Sequence, residues 1–120
     1  MTDTILRFVH ISDTHIGADP EYGRHQSPHS TQEGARALVH QLNNLPFEPD
    51  FILHTGDVAY DPDPSAYIVA REILSQIRYP VYYLAGNHDY PAELQTVMLG
   101  RQEILSSLYY TFEVNGVQII

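Results

Sequence analysis

Three short apolar runs, each closed abruptly by a polar turn, constrain this chain more than any other feature. Residues 5–11 (ILRFVHI), 51–54 (FILH) and 80–85 (PVYYLA) read as strands. They run straight into Ser12-Asp13-Thr14-His15, Thr55-Gly56-Asp57 and Gly86-Asn87-His88-Asp89. Runs that lack polar alternation suit strands buried on both faces of a parallel sheet. Between the first two, Ala35, Leu38, Val39, Leu42 and Leu45 recur at i, i+3, i+4, i+7 spacing and predict a helix, capped by Ser30 or Thr31 and ending before Pro46. Between the second and third, Ala66, Ala70, Ile73, Leu74 and Ile77 predict another, opened by Asp63-Pro64. Strand, helix, strand, helix, strand implies right-handed crossovers and a parallel sheet, so the fold class is α/β.

The rest of the chain is read around that unit. Residues 12–30 form a long polar loop rich in His, Gly, Pro, Asp and Ser, and long ordered loops usually carry function. Pro91 opens a third helical stretch, to about residue 106, interrupted by Gly100. Residues 109–114 and 117–120 flank Asn115-Gly116, the dipeptide a two-residue hairpin turn favours. The terminal VQII is apolar, and that strand is an expected surface for self-association. At 120 residues the chain makes one domain, 1–120.

Composition excludes several classes. Six Lys and Arg against fifteen Asp and Glu leave a net charge of −9, which opposes nucleic-acid or anionic-membrane binding through a basic surface. The absence of cysteine removes disulfides, thiolate metal sites and cysteine nucleophiles. No apolar run approaches the ~20 residues that span a bilayer, and the first residues lack a signal-peptide layout, so a cytoplasmic location is expected. The seven histidines outnumber all Lys and Arg, and imidazole is a common metal ligand.

In open α/β sheets, sites form beyond the carboxyl ends of the strands. Asp13 and His15, then Asp57, then Asn87, His88 and Asp89 should therefore converge. Asp13 and His15 lie two apart and, in an extended segment, point the same way. Asp57 has two oxygens and can bridge two ions, and Asn87 adds an oxygen without charge. Oxygen and imidazole donors without sulfur suit Mn, Fe or Zn better than Ca.

Asp13-Thr14-His15, Gly56-Asp57 and Gly86-Asn87-His88-Asp89 match in order the D-x-H, G-D and G-N-H-D/E motifs of the calcineurin-like metallophosphoesterases, which the chain resembles essentially end to end, closest to the cyclic-nucleotide phosphodiesterase-like branch. The resemblance implies the N-terminal half of a metallophosphoesterase-type β-sandwich flanked by helices, βαβαβ followed by a hairpin. It also implies two divalent or mixed-valence ions (Mn, Fe or Zn), with Asp13 and His15 on the first, Asp57 bridging and Asn87 on the second. His88 would stabilise the phosphate or protonate the leaving oxygen, with Asp89 orienting it. The substrate would be a small phosphate ester: a cyclic nucleotide, a glycerophosphodiester or a phosphomonoester, with nucleic acid disfavoured by the acidic charge.

Members of that family continue to a further metal-binding histidine and a G-H-x-H motif, whereas residues 89–120 contain no histidine. The domain is therefore expected to be truncated at its C-terminus, with a partial ligand set. Two functions follow from that. One is a hydrolase that completes its ligands elsewhere; the other is a catalytically incompetent fragment or a metal- or partner-binding module. Of the remaining histidines, His10 and His54 each precede a ligand Asp by three and read as hydrogen-bonded strand residues. His25 and His29 read as solvated loop residues, and His40 lies on the polar side of its helix. Asp61 and Asp63 read as loop solvation and helix capping, and Tyr82, Tyr83, Tyr109 and Tyr110 as sheet residues.

Overall fold

The computed structural model describes residues 4–60, 64–84, 89, 94–99 and 111–119. Strands β1 (Phe8–Ile11), β2 (Phe51–His54) and β3 (Val81–Tyr83) form a parallel sheet in the order β1-β2-β3, with helix α1 (Thr31–Asn43) between the first pair and α2 (Ser65–Leu74) between the second. Strands β4 (Phe112–Val114) and β5 (Val117–Ile119) form the hairpin. No described helix is long and apolar enough to cross a membrane.

Each helix follows from its sequence. Ser30 caps α1: its hydroxyl accepts the Glu33 N–H at 3.2 Å and the Glu33 carboxylate accepts the Ser30 N–H at 3.3 Å, a closed capping box. Ala35, Val39 and Leu42 are buried, and Leu38 and Leu45 pack beside them, so the apolar stripe faces the core as expected. The spacing rule did not include Gln32, which is buried and donates to the carbonyls of Gly17 (2.8 Å) and Ala18 (3.2 Å), stitching the long loop to the helix. In α2, Ala66, Tyr67, Ala70, Ile73 and Leu74 are buried, and Ile77 continues the apolar face just beyond the helix. Pro64 stands at its N-cap without a side-chain cap bond, and Asp61 and Asp63 lie outside the described residues. Asn43 fastens the two units: its amide donates to the Gln76 carbonyl and its oxygen accepts the Arg78 N–H, both at 2.9 Å.

The strands differ from expectation at β1. Residues 5–11 read as a strand covered on both faces, yet pairing begins at Phe8↔Phe51, Ile5 is 67% exposed and Phe8 is 49% exposed. The reason is position: among the described residues β2 is central and β1 stands at the edge of this sheet, with Phe8 and His10 exposed on one face. Alternation separates two faces. Ile11, Ile52 and Tyr83 join both helices in the core. On the other face Phe8 stacks on Phe51 with centroids 5.0 Å apart, and Phe112 of the hairpin stacks on Tyr82 at 3.7 Å and meets Phe51 edge-on at 5.2 Å. The hairpin is thus the start of a second layer. Its turn is the expected one, with Asn115 and Gly116 both at positive φ (52° and 79°), as a type I′ turn requires.

The third helical stretch is described only at Leu94–Met98, a single wide π-type turn closed by the Leu99 N–H on the Leu94 carbonyl at 3.2 Å. Leu94 is fully buried in the core. The remainder of that stretch, Tyr109 and Tyr110, and the segment holding Asn87 and His88 lie outside the described residues.

Candidate metal centre

Two loops, one after β1 and one after β2, are laid side by side by a backbone ladder that continues past the strands. Thr55 N–H bonds the Ile11 carbonyl (3.0 Å), Asp13 N–H that of Gly56 (2.9 Å), His15 N–H that of Asp57 (3.0 Å) and Ile16 N–H that of Val58 (3.0 Å). The ladder closes with Tyr60 N–H on Ile16 (2.9 Å) and a parallel bridge between Ile16 and Ala59. Ile16, Val58 and Ala59 are buried, so both loops are pinned from below.

Between those pins the chain takes an uncommon path. Asp13, His15 and Asp57 all have positive φ, at 59°, 44° and 54°. Only a few per cent of non-glycine residues do so, Asp and His among the more tolerant, at a cost on the order of 1 kcal/mol each. The expectation that Asp13 and His15 chelate from an extended segment is therefore corrected: successive turns into the left-handed region, rather than strand alternation, bring their side chains together.

One donor atom each from Asp13, His15 and Asp57 lie within 4.8 Å of one another. His15 Nε2 is 3.3 Å from Asp13 Oδ1 and 3.8 Å from Asp57 Oδ2. Exposure is graded: the Asp13 side chain is 59% exposed, that of His15 32% and that of Asp57 11%. The Asp13 carboxyl is held below its ordinary value, first by the Ser12 hydroxyl and then by Asp57 and His15, against a burial effect of opposite sign. It is thus anionic at neutral pH. Two carboxylates and an imidazole held this close by a fixed backbone fit a divalent cation, which relieves the repulsion between the acids and accepts the imidazole lone pair.

Behind the centre lies a buried relay. His54 is fully buried, and its Nδ1 accepts the Gly56 N–H at 3.2 Å. The ring proton therefore sits on Nε2, which donates to Thr14 Oγ1 at 3.0 Å, and the Thr14 hydroxyl donates to the Val58 carbonyl at 2.8 Å. Burial, the largest influence, pushes the His54 pKa down to about 4, which keeps the ring neutral and the relay intact. His10 binds Thr55 Oγ1 at 2.6 Å. Both histidines are thus hydrogen-bonded strand residues, as expected. Register places Ile11, not His10, opposite His54, so the two rings occupy opposite faces of the sheet.

Asp89 is the described member of the third motif. Its buried carboxylate accepts the Val58 N–H (3.0 and 3.2 Å), the Ala59 N–H (3.3 Å) and the Tyr67 hydroxyl (2.7 Å). It clamps the loop carrying Asp57 to α2. The apolar spacing of the second helix did not include Tyr67, and nothing in the sequence links it to a residue 22 positions away. His25 and His29 are exposed and stand outside the Asp13–His15–Asp57 group, with His29 near Glu33 at 3.4 Å. Sequence reasoning also passed over Tyr22 and Tyr60, whose rings lie 4.1 Å apart beside the centre and border a cavity of about 580 Å³ that opens on Asp13 and His15.

Comparison with known proteins points the same way. A family model described as calcineurin-like phosphoesterase matches residues 6–118. The chain is 34% identical over 118 residues to a cAMP/cGMP dual specificity phosphodiesterase of Mycobacterium tuberculosis, covering 93% of this chain and 36% of that protein. It is 38% identical over 86 residues to the glycerophosphodiester phosphodiesterase GpdQ of Enterobacter lignolyticus (70% and 30%). It is also 30% identical over 95 residues to the DNA double-strand break repair protein Mre11 of Methanococcus maripaludis (75% and 25%). The chain spans about a third of the length of the curated relatives it matches.

Proposed function

Because the chain belongs to the calcineurin-like phosphoesterase family, we propose that it hydrolyses phosphodiesters at a binuclear centre of Mn, Fe or Zn ions built on Asp13, His15, Asp57 and Asn87. The observation that supports this best is the Asp13–His15–Asp57 group, with donor atoms within 4.8 Å on a backbone ladder that spans both loops. When bound, such ions supply an activated water and neutralise the phosphate charge, which lets a chain of net charge −9 take an anion.

The protein's own groups do the rest. Asp13 and His15 would hold one ion, Asp57 would serve both, and Asn87 would serve the second. His88 donates a proton to the leaving oxygen. Asp89 is anchored to Val58, Ala59 and Tyr67 and would orient His88, its neighbour in sequence, for that step. The three relatives named above act on different partners by name, and a diester is the substrate class shared by the first two.

The test compares two variants of the metal-loaded protein. Asp57→Asn is expected to release more bound Mn and more activity on bis(p-nitrophenyl) phosphate than Asn87→Ala, because Asp57 alone serves both ions. Metal stoichiometry by elemental analysis decides it: equal losses in the two variants would remove the bridging role.

A further inference from the structure

The cavity beside the centre has a chemistry of its own. It opens on Asp13 and His15, the residues that would face a bound phosphoryl group, and is lined further by Tyr22, Tyr60, Gln26 and Thr31. Its volume of about 580 Å³ falls in the range typical of small-molecule sites. Among the described residues, no Lys or Arg lines it. The nearest cation in sequence, Arg24, is paired with Glu21 and Glu33. Among the described lining residues a second anionic group would find no cationic partner, whereas an uncharged one would find aromatic surface with amide and hydroxyl groups beside it.

The aromatic wall is built, not incidental. The Tyr22 carbonyl accepts the Thr31 N–H at 2.8 Å, at the start of α1. The Tyr22 side chain lies directly over Gly17, where a Cβ would come within 2.9 Å of it, so only glycine leaves room for it. Tyr60 follows the buried Val58-Ala59 pair and is held by its N–H on Ile16 at 2.9 Å. Both rings are therefore fixed by the same two loops that carry Asp13, His15 and Asp57. Tyr60 is still 40% exposed, which leaves it ring surface for a ligand. Fixed aromatic surface costs little to organise on binding, and stacking of a base on such a ring is worth about 1–3 kcal/mol.

We infer that this cavity is the subsite for the organic substituent of the ester, and that Tyr60, braced by Tyr22, selects an uncharged flat ring over a small alkyl group. The inference rests on the proposed phosphodiester hydrolysis and narrows its substrate to ring-bearing esters such as those of nucleosides.

Two esters with one leaving group separate the cases: thymidine 5′-(p-nitrophenyl phosphate) and methyl p-nitrophenyl phosphate, assayed with the Mn-loaded protein. The wild type is expected to prefer the thymidine ester. Tyr60→Ala is expected to reduce that preference in kcat/KM about tenfold or more, chiefly through KM, and Tyr60→Phe to retain most of it. An unchanged preference in Tyr60→Ala, or the same loss in Tyr60→Phe as in Tyr60→Ala, would overturn the assignment. If neither ester turns over, it is the hydrolytic reading that fails, and the subsite is judged by binding alone. Uncharged adenosine, added at millimolar concentration to protein carrying ring-labelled tyrosine, is expected to shift the Tyr60 and Tyr22 signals in the NMR spectrum. Signals that stay in place would overturn the subsite whatever the state of the metals.

Discussion

His54 is the position where burial, tautomer and site geometry meet. Its ring is neutral because it is fully buried, and its two nitrogens take opposite roles because a backbone N–H points at one and a hydroxyl at the other. A histidine whose pKa falls from its ordinary 6.5 to about 4 on folding stabilises the protein fully above pH 6.5. Below that the unfolded chain binds a proton that the folded one refuses, and the contribution disappears as pH falls to about 4. The loss over that window is on the order of 3 kcal/mol. His54→Gln keeps a donor for Thr14 but does not titrate. It is expected to be less stable than wild type at pH 7, yet to lose less between pH 6.5 and 4. Urea midpoints measured across that range check it; parallel pH profiles would assign the acid sensitivity to other groups.

Helix α2 contributes to the centre through the Tyr67 hydroxyl. Tyr67 points from its buried face to Asp89, which in turn holds the Val58 and Ala59 N–H groups just beyond Asp57. A hydrogen bond to a charged group contributes about 1.5–3 kcal/mol, and the carboxylate left behind would be buried with one donor fewer. Tyr67→Phe, which keeps the ring and its packing, is expected to lower the unfolding free energy by about that amount in denaturant titrations. A loss below about 0.5 kcal/mol would mean that another donor replaces the hydroxyl. α1 is fastened differently, by the Ser30–Glu33 box at one end and Asn43 at the other, so the two helices guard different loops.

Across the fold, the ligand pair Asp13 and His15 and the ligand Asp57 come from segments more than forty positions apart that are brought together by the pairing of β1 with β2. An unfolded chain has no such site, so metal binding is coupled to folding. Mn at a hundred times its dissociation constant is expected to raise the unfolding free energy by about 2.7 kcal/mol, and a chelator to reverse the gain. Thermal melts with and without Mn measure this. Asp57→Ala should abolish the gain, and a gain that survives in that variant would place the ion elsewhere.

Much of this was legible in local pattern. Apolar runs marked β1, β2 and β3, periodicity marked the buried stripe of α1, and Asn115-Gly116 marked the hairpin, because strand, helix and turn preferences act over a few residues. The donor types at Asp13, His15 and Asp57 were equally plain, as was their place beyond strand ends. What remained hidden depended on contacts between distant segments. The edge position of β1 depends on the order in which strands assemble, and the left-handed turns at Asp13, His15 and Asp57 on the ladder between two loops. The neutrality of His54 depends on what covers it, and the tie from Tyr67 to Asp89 and the Tyr22–Tyr60 wall depend on chain closure over many residues. Local propensity sets which conformations and donors are offered. Burial and register, which are properties of the packed whole, set which of them meet and in what protonation state.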